Sequence, residues 1–222
     1  GPKRPAITRK VSSNNAIEFI ISTIREHDDI WLVPIGPLTN IALAVLQAPD
    51  IVDKVAGVSI MGGSTDRGNV TSKGEFNIWA DPDAAAIVFD AGFKNLKMAG
   101  LNLTHQLGID DKVISQLDAI GNKTANFTAD LFRFYLNAYR QRTKGDVAPL
   151  HDPCAVIAIT HPDLILFEKK NVRVETQGIH TRGMTVVDDR EYSHESFNCD
   201  VGYSIDRDVA LSAIIDAIST YN

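Results

Sequence analysis

Three polar side chains, Asn69, Glu75 and Asn77, fall within one stretch of this 222-residue chain, Met61 to Asp81 (MGGSTDRGNVTSKGEFNIWAD). Amide and carboxylate oxygens accept hydrogen bonds and amide nitrogens donate them, so such a trio can hold a hydroxylated ligand. A loop of this length without clear secondary structure is uncommon in a compact domain and is either functional or disordered. Phe76, Ile78 and Trp79 give it apolar anchors, which argue against disorder. The alternative is a structured surface loop whose Asn and Glu are solvated or form turns. Further along, His151-Asp152-Pro153 follows a flexible loop and opens a helical pattern. Asp152 offers a hard oxygen ligand for Ca2+ or Mg2+, and His151 offers a proton donor or substrate contact with a pKa near working pH. The alternative for Asp152 is a helix N-cap. One carboxylate is a weak metal site, so Asp152 needs partners from elsewhere.

The elements that position these residues follow from the hydrophobic pattern. Ile30–Ile35 and Val55–Met61 are apolar runs of strand length, as buried parallel strands require, and Asn95–Gly100 reads as another short strand. Helical spacing runs from Ser13 to His27, from Leu38 to Leu46 after Pro37, and from Asp83 to Ala91. This alternation predicts an α/β fold with an open, mostly parallel sheet flanked by helices. Beyond Leu101 come helices over 110–120, 124–142, 152–159 and 206–218, an added helical region. Within it, 172–175 and 184–187 form a small C-terminal strand pair joined by a turn near 178–183. In open parallel sheets ligands bind at the carboxyl ends of the strands. That places Ile35-Gly36, the Met61–Asp81 loop and the loop after Gly100 near one another.

Composition bounds the rest. Hydrophobic residues at 44% and charged residues at 23% suit one ordinary globular domain over 1–222, with residues 1–12 as a loop. A net charge of −6 gives no basic surplus for nucleic-acid phosphates, and Lys3, Arg4, Arg9 and Lys10 read as a solvated segment. No apolar run approaches the ~20 residues of a membrane span, and no signal peptide precedes the first helix. Cys154 and Cys199 lack metal-ligand spacing, which favours a reduced, cytoplasmic setting with structural thiols.

Five segments in order carry a resemblance: VPIGPLTNIALA (33–44), MGG with GNVTSKGEFNIWADPDAA (61–63 and 68–85), LNLTH (101–105), LHDPCAV (150–156) and RGMTVVD (182–188). Together they resemble the inosine-uridine preferring nucleoside hydrolases. The resemblance implies hydrolysis of the N-glycosidic bond of ribonucleosides, purine or pyrimidine, to free base and ribose, with a tightly held calcium. It implies the Ile35 backbone carbonyl and Asp152 as calcium ligands. Asn69, Glu75 and Asn77 match the groups that hold the ribose hydroxyls, with Met61 packing beside them. His151 matches the histidine near the leaving base, and Tyr139 falls where members carry a base-contacting residue. A homo-oligomer serving nucleoside salvage is the setting the family suggests.

The family also carries an Asp-rich motif, D-x-D-x-x-x-D-D, which supplies most calcium ligands and the general base; no such spacing occurs in these 222 residues. The expectation is therefore that this chain supplies the ribose-binding and leaving-group side. A missing N-terminal segment or a second chain would complete the calcium site, and the isolated chain would be inactive. The competing expectation is a catalytically inactive nucleoside- or ribose-binding fragment, or a structural subunit.

Overall fold

The computed structural model describes Gly1 and residues 6–221; Lys3 and Arg4 of the N-terminal basic cluster lie outside the described residues. The first half alternates helix and strand: α1 (Ala16–Glu26), β1 (Trp31–Leu32), α2 (Thr39–Gln47), α3 (Ile51–Lys54) and β2 (Gly57–Met61). It continues with α4 (Phe76–Ala80), α5 (Pro82–Asp90), β3 (Leu96–Ala99) and α6 (Leu101–Thr104). Then come β4 (Gly108–Ile109), α7 (Asp111–Ile120), α8 (Lys123–Thr143), β5 (Ala148–Pro149) and α9 (Asp152–Thr160). The chain closes with β6 (Ile165–Lys170), β7 (Val172–Val174), β8 (Thr185–Val187), β9 (Cys199–Ile205) and α10 (Arg207–Ser219).

The main sheet has the order β1-β2-β3-β9-β6; its first four strands are parallel, and β6 runs antiparallel to β9. This is the open, mostly parallel sheet the pattern predicted. Strand alternation splits the core in two. Val58, Ile60, Leu96, Met98 and Val201 face α1, α2, α3 and α5. Met61 and Ala99 face the opposite layer, built from α6, α7, α8, α9 and α10. Ser59 also lies on that side, fully buried, and its hydroxyl donates to the Ala155 carbonyl of α9 at 2.7 Å.

Three expectations change. The run over 30–35 pairs as a strand only at Trp31–Leu32, because Pro34 has no N–H to donate. The Pro34 carbonyl still accepts from Met61 N–H at 3.0 Å, which holds Ile35 at the carboxyl end of β1. The Met61–Asp81 stretch is not wholly irregular, since Phe76–Ala80 is a short helix capped by the Glu75 side chain. Finally, β6 and β9, which the sequence pattern did not single out, extend the main sheet. No helix of the described residues is long and apolar enough to cross a membrane.

Candidate active site

Glu75 organises the loop after β2. The residue is 2% exposed, and its carboxylate accepts from Gly63 N–H at 2.9 Å, Asn77 N–H at 3.0 Å and Ile78 N–H at 3.3 Å. A carboxylate at a helix start satisfies the free N–H groups there, which is why this five-residue segment can be helical at all. Burial pushes the Glu75 carboxyl above the usual range; the three N–H donors oppose that rise, and the charge of Asp152 adds to it. Asn77, also buried, donates from Nδ2 to the Met61 carbonyl at 3.0 Å and to Met61 Sδ at 3.3 Å. Its Oδ1 takes no hydrogen bond from the described residues. Asn69 is exposed, and its Oδ1 accepts from Phe76 N–H at 2.9 Å, leaving Nδ2 as a donor. Met61, Asn69, Glu75 and Asn77 thus form one connected group.

The β7–β8 hairpin fixes this loop from outside. Thr185 Oγ1 accepts from Ser64 N–H at 2.9 Å and donates to the Ser64 carbonyl at 2.7 Å. Gly63, at φ +73°, leaves only 2.7 Å between a built Cβ and the Thr185 methyl, so no larger residue fits there. Gly183, at φ +82°, lets the hairpin turn rest against the α4 backbone at Trp79. Through Gly183 and Thr185 the RGMTVVD segment clamps the loop.

His151 and Asp152 sit where β5 passes into α9. His151 is the N-cap and Asp152 the first helical residue, with no side-chain capping bond, so the N-cap alternative for Asp152 does not hold. The Asp152 carboxylate takes no hydrogen bond or ion pair among the described residues, and desolvation raises its pKa. Asp152 and Ile35 line the same cavity of about 440 Å³, with Val156, Ile157 and Ile214 as its apolar wall.

His151 Nδ1 lies 2.7 Å from Thr104 Oγ1, and its ring centroid is 5.4 Å from that of His105. Burial first, then His105, pushes the His151 pKa down to about 4. The imidazole is therefore neutral near pH 7, contrary to the expectation that it titrates there. Tyr139 lies one turn from Tyr135 on α8, their rings 6.4 Å apart, and the Tyr135 hydroxyl donates to the Pro149 carbonyl at 3.0 Å, two residues before His151. Burial raises the Tyr135 pKa, with Tyr139 and Asp152 adding to the rise. Thr104, Thr185 and Tyr135 were missed by sequence reasoning. The only signal for them was that Thr104 and Thr185 lie inside LNLTH and RGMTVVD.

Calcium favours hard oxygens, and the Asp152 carboxylate and Ile35 carbonyl belong to residues of one cavity, so the donor chemistry fits as part of a site. Among the described residues no group of three or more His, Cys, Asp or Glu side chains converges in a metal-holding arrangement.

Comparison with known proteins matches residues 1–212 to the family described as inosine-uridine preferring nucleoside hydrolase. A pyrimidine-specific ribonucleoside hydrolase RihA of Shewanella sp. (strain ANA-3) is 39% identical over 223 aligned positions, covering 100% of this chain and 70% of that protein. Among solved structures, a purine-preferring ribonucleoside hydrolase from Gardnerella vaginalis superposes with a TM-score of 0.89 at 34% identity, covering 97% of this chain and 68% of that one. The plant nucleoside hydrolase PpNRh1 superposes with a TM-score of 0.88 at 29% identity, covering 97% and 70%.

Proposed function

This chain belongs to the inosine-uridine preferring nucleoside hydrolase family, and from that premise we propose that it carries the sugar-holding and leaving-group side of a calcium-dependent ribonucleoside N-glycosidase. The observation that carries this reading is the Asp152 carboxylate: it takes no hydrogen bond among the described residues, shares a cavity with Ile35, and lies one residue from His151. In the net reaction water adds to C1′ of the ribose, the bond from C1′ to the base nitrogen breaks, and the base leaves with a proton.

Each group has a part in that chemistry. Asn69 Nδ2 and Asn77 Oδ1 offer one donor and one acceptor to the ribose hydroxyls. Glu75 Oε1, which shares only the Asn77 N–H with Oε2, keeps capacity for a hydroxyl proton. Met61, locked by Asn77, packs beside the sugar. His151 and Tyr139 stand on the base side. Asp152 and the Ile35 carbonyl would hold calcium, which when bound supplies a Lewis acid that orients and acidifies a water. Calcium takes about six to eight oxygens, so we read the remaining ligands, and the base that takes the water's proton, as supplied by a further segment or chain.

A homo-oligomeric, cytoplasmic enzyme of nucleoside salvage is the setting this reading carries. Its test is ribose release from inosine and uridine by the full native protein with added calcium. Calcium-dependent release of free base and ribose supports the reading, and no turnover on either nucleoside overturns it. Thermal stabilisation by ribose without turnover would instead assign a binding module. The relative rates on the two substrates report the base preference.

A further inference from the structure

Thr104 ends α6 fully buried, and its Oγ1 meets His151 Nδ1 at 2.7 Å across 47 residues of chain. A threonine in a helix commonly donates to the carbonyl four residues back. Here the hydroxyl makes no such bond, and the imidazole is its one hydrogen-bond partner among the described residues. Buried from water, the hydroxyl proton has Nδ1 as its acceptor. An imidazole that accepts at Nδ1 carries its own proton at Nε2. His105 is fixed in the same sense, because the Arg67 guanidinium, which can only donate, lies 3.3 Å from its Nδ1.

We propose that Thr104 is a positioning residue that sets the Nε2–H form of His151, so that the imidazole meets the departing base as a hydrogen-bond donor. The inference rests on the reading of His151 as the leaving-group side of a nucleoside hydrolase. It involves no proton transfer: Nε2–H stabilises charge developing on the base, and the base's final proton derives from the water consumed. A fixed donor aimed at developing charge is worth about 10²–10³ in rate when removed outright. Disturbing its orientation through Thr104 forfeits a part of that.

The test uses the full native protein with calcium. Thr104→Val removes the hydroxyl at nearly constant volume and is expected to lower kcat on uridine and inosine about 10- to 100-fold with little change in KM. Hydrolysis of p-nitrophenyl riboside, whose leaving group bears charge unaided, should fall less than about threefold. Thr104→Ser, which keeps the hydroxyl, should recover most of the nucleoside rate. Equal losses on both substrate types, or a serine variant as slow as the valine one, would overturn the proposal. Nitrogen-15 NMR of the imidazoles reads the form directly, and a proton on Nδ1 of His151 in the wild type would overturn it whatever the activity. Failure of the wild type to release ribose would instead strike the functional reading, with the NMR result still deciding this one.

Discussion

Glu75 Oε2 accepts the Gly63 N–H at 2.9 Å, twelve residues earlier in the chain, and so ties the end of the loop after β2 to its beginning. The same carboxylate caps α4 through Asn77 and Ile78. One buried group thereby closes the loop, starts the helix and orients Asn77.

Glu75→Gln replaces a charged acceptor by a neutral amide, keeps one oxygen for the three backbone N–H groups and sets an NH2 group against the Asn77 N–H in place of Oε1. We expect a loss of about 1–3 kcal/mol of stability and a rise in KM for nucleosides. Calorimetric melting of the variant beside the wild type checks the first, and an unchanged Tm would contradict the capping role.

Thr185→Val removes both hydrogen bonds to Ser64 while keeping the shape of the side chain. The expected cost is about 1–3 kcal/mol, because a buried backbone N–H and carbonyl lose their partner together. Hydrogen exchange should quicken at residues 63–66 and stay as in the wild type along β2. Uniform protection across both would show that the hairpin does not hold the loop.

Asp152→Asn keeps size but removes charge from a residue without an internal partner. Calcium affinity in the full protein is expected to fall at least about tenfold, since carboxylate charge tunes calcium binding strongly. Titration calorimetry measures this. Equal affinity in the variant would remove Asp152 from the metal site.

Burial of His151 gives stability a definite pH dependence. Its pKa is ordinarily 6.5 and is lowered to about 4 in the folded chain by burial and by His105. Between those values the unfolded chain binds the proton and the folded chain does not, so stability rises with pH across this window. The contribution is fully present above about pH 6.5 and is lost as pH falls towards 4. His151→Asn should flatten this part of the Tm profile, and an identical slope in the variant would refute the assignment.

The thiols are expected to be inert. Cys154 is fully buried and Cys199 is 4% exposed. Burial pushes the Cys154 pKa up to about 12 and that of Cys199 up as well. Little thiolate forms near neutral pH, and alkylation should reach both residues only after denaturation. Rapid labelling of either in the native protein would count against their structural role.

Local physical chemistry made the first half of the fold legible. Val58, Ile60 and Met61 lie in an apolar run that reads as a buried strand, and Asp81-Pro82 announces a helix that the Asp81 side chain does cap, at Ala84 N–H. The runs that became β6 and β9 were harder to see. Glu168 to Lys170 put charge into one, while Asp200, Gly202 and Ser204 interrupt the other, and both depend on pairing with each other. At the site, the sequence alone marked Asn69, Glu75, Asn77, His151 and Asp152, since residue type and loop position are local properties. It did not say that the Glu75 carboxylate turns inward onto Gly63, that Thr185 grips Ser64 from 121 residues away, or that Thr104 holds His151. The first closes a loop on itself, and the other two join segments distant in the chain that only the tertiary packing of the hairpin and of α9 brings within hydrogen-bonding reach.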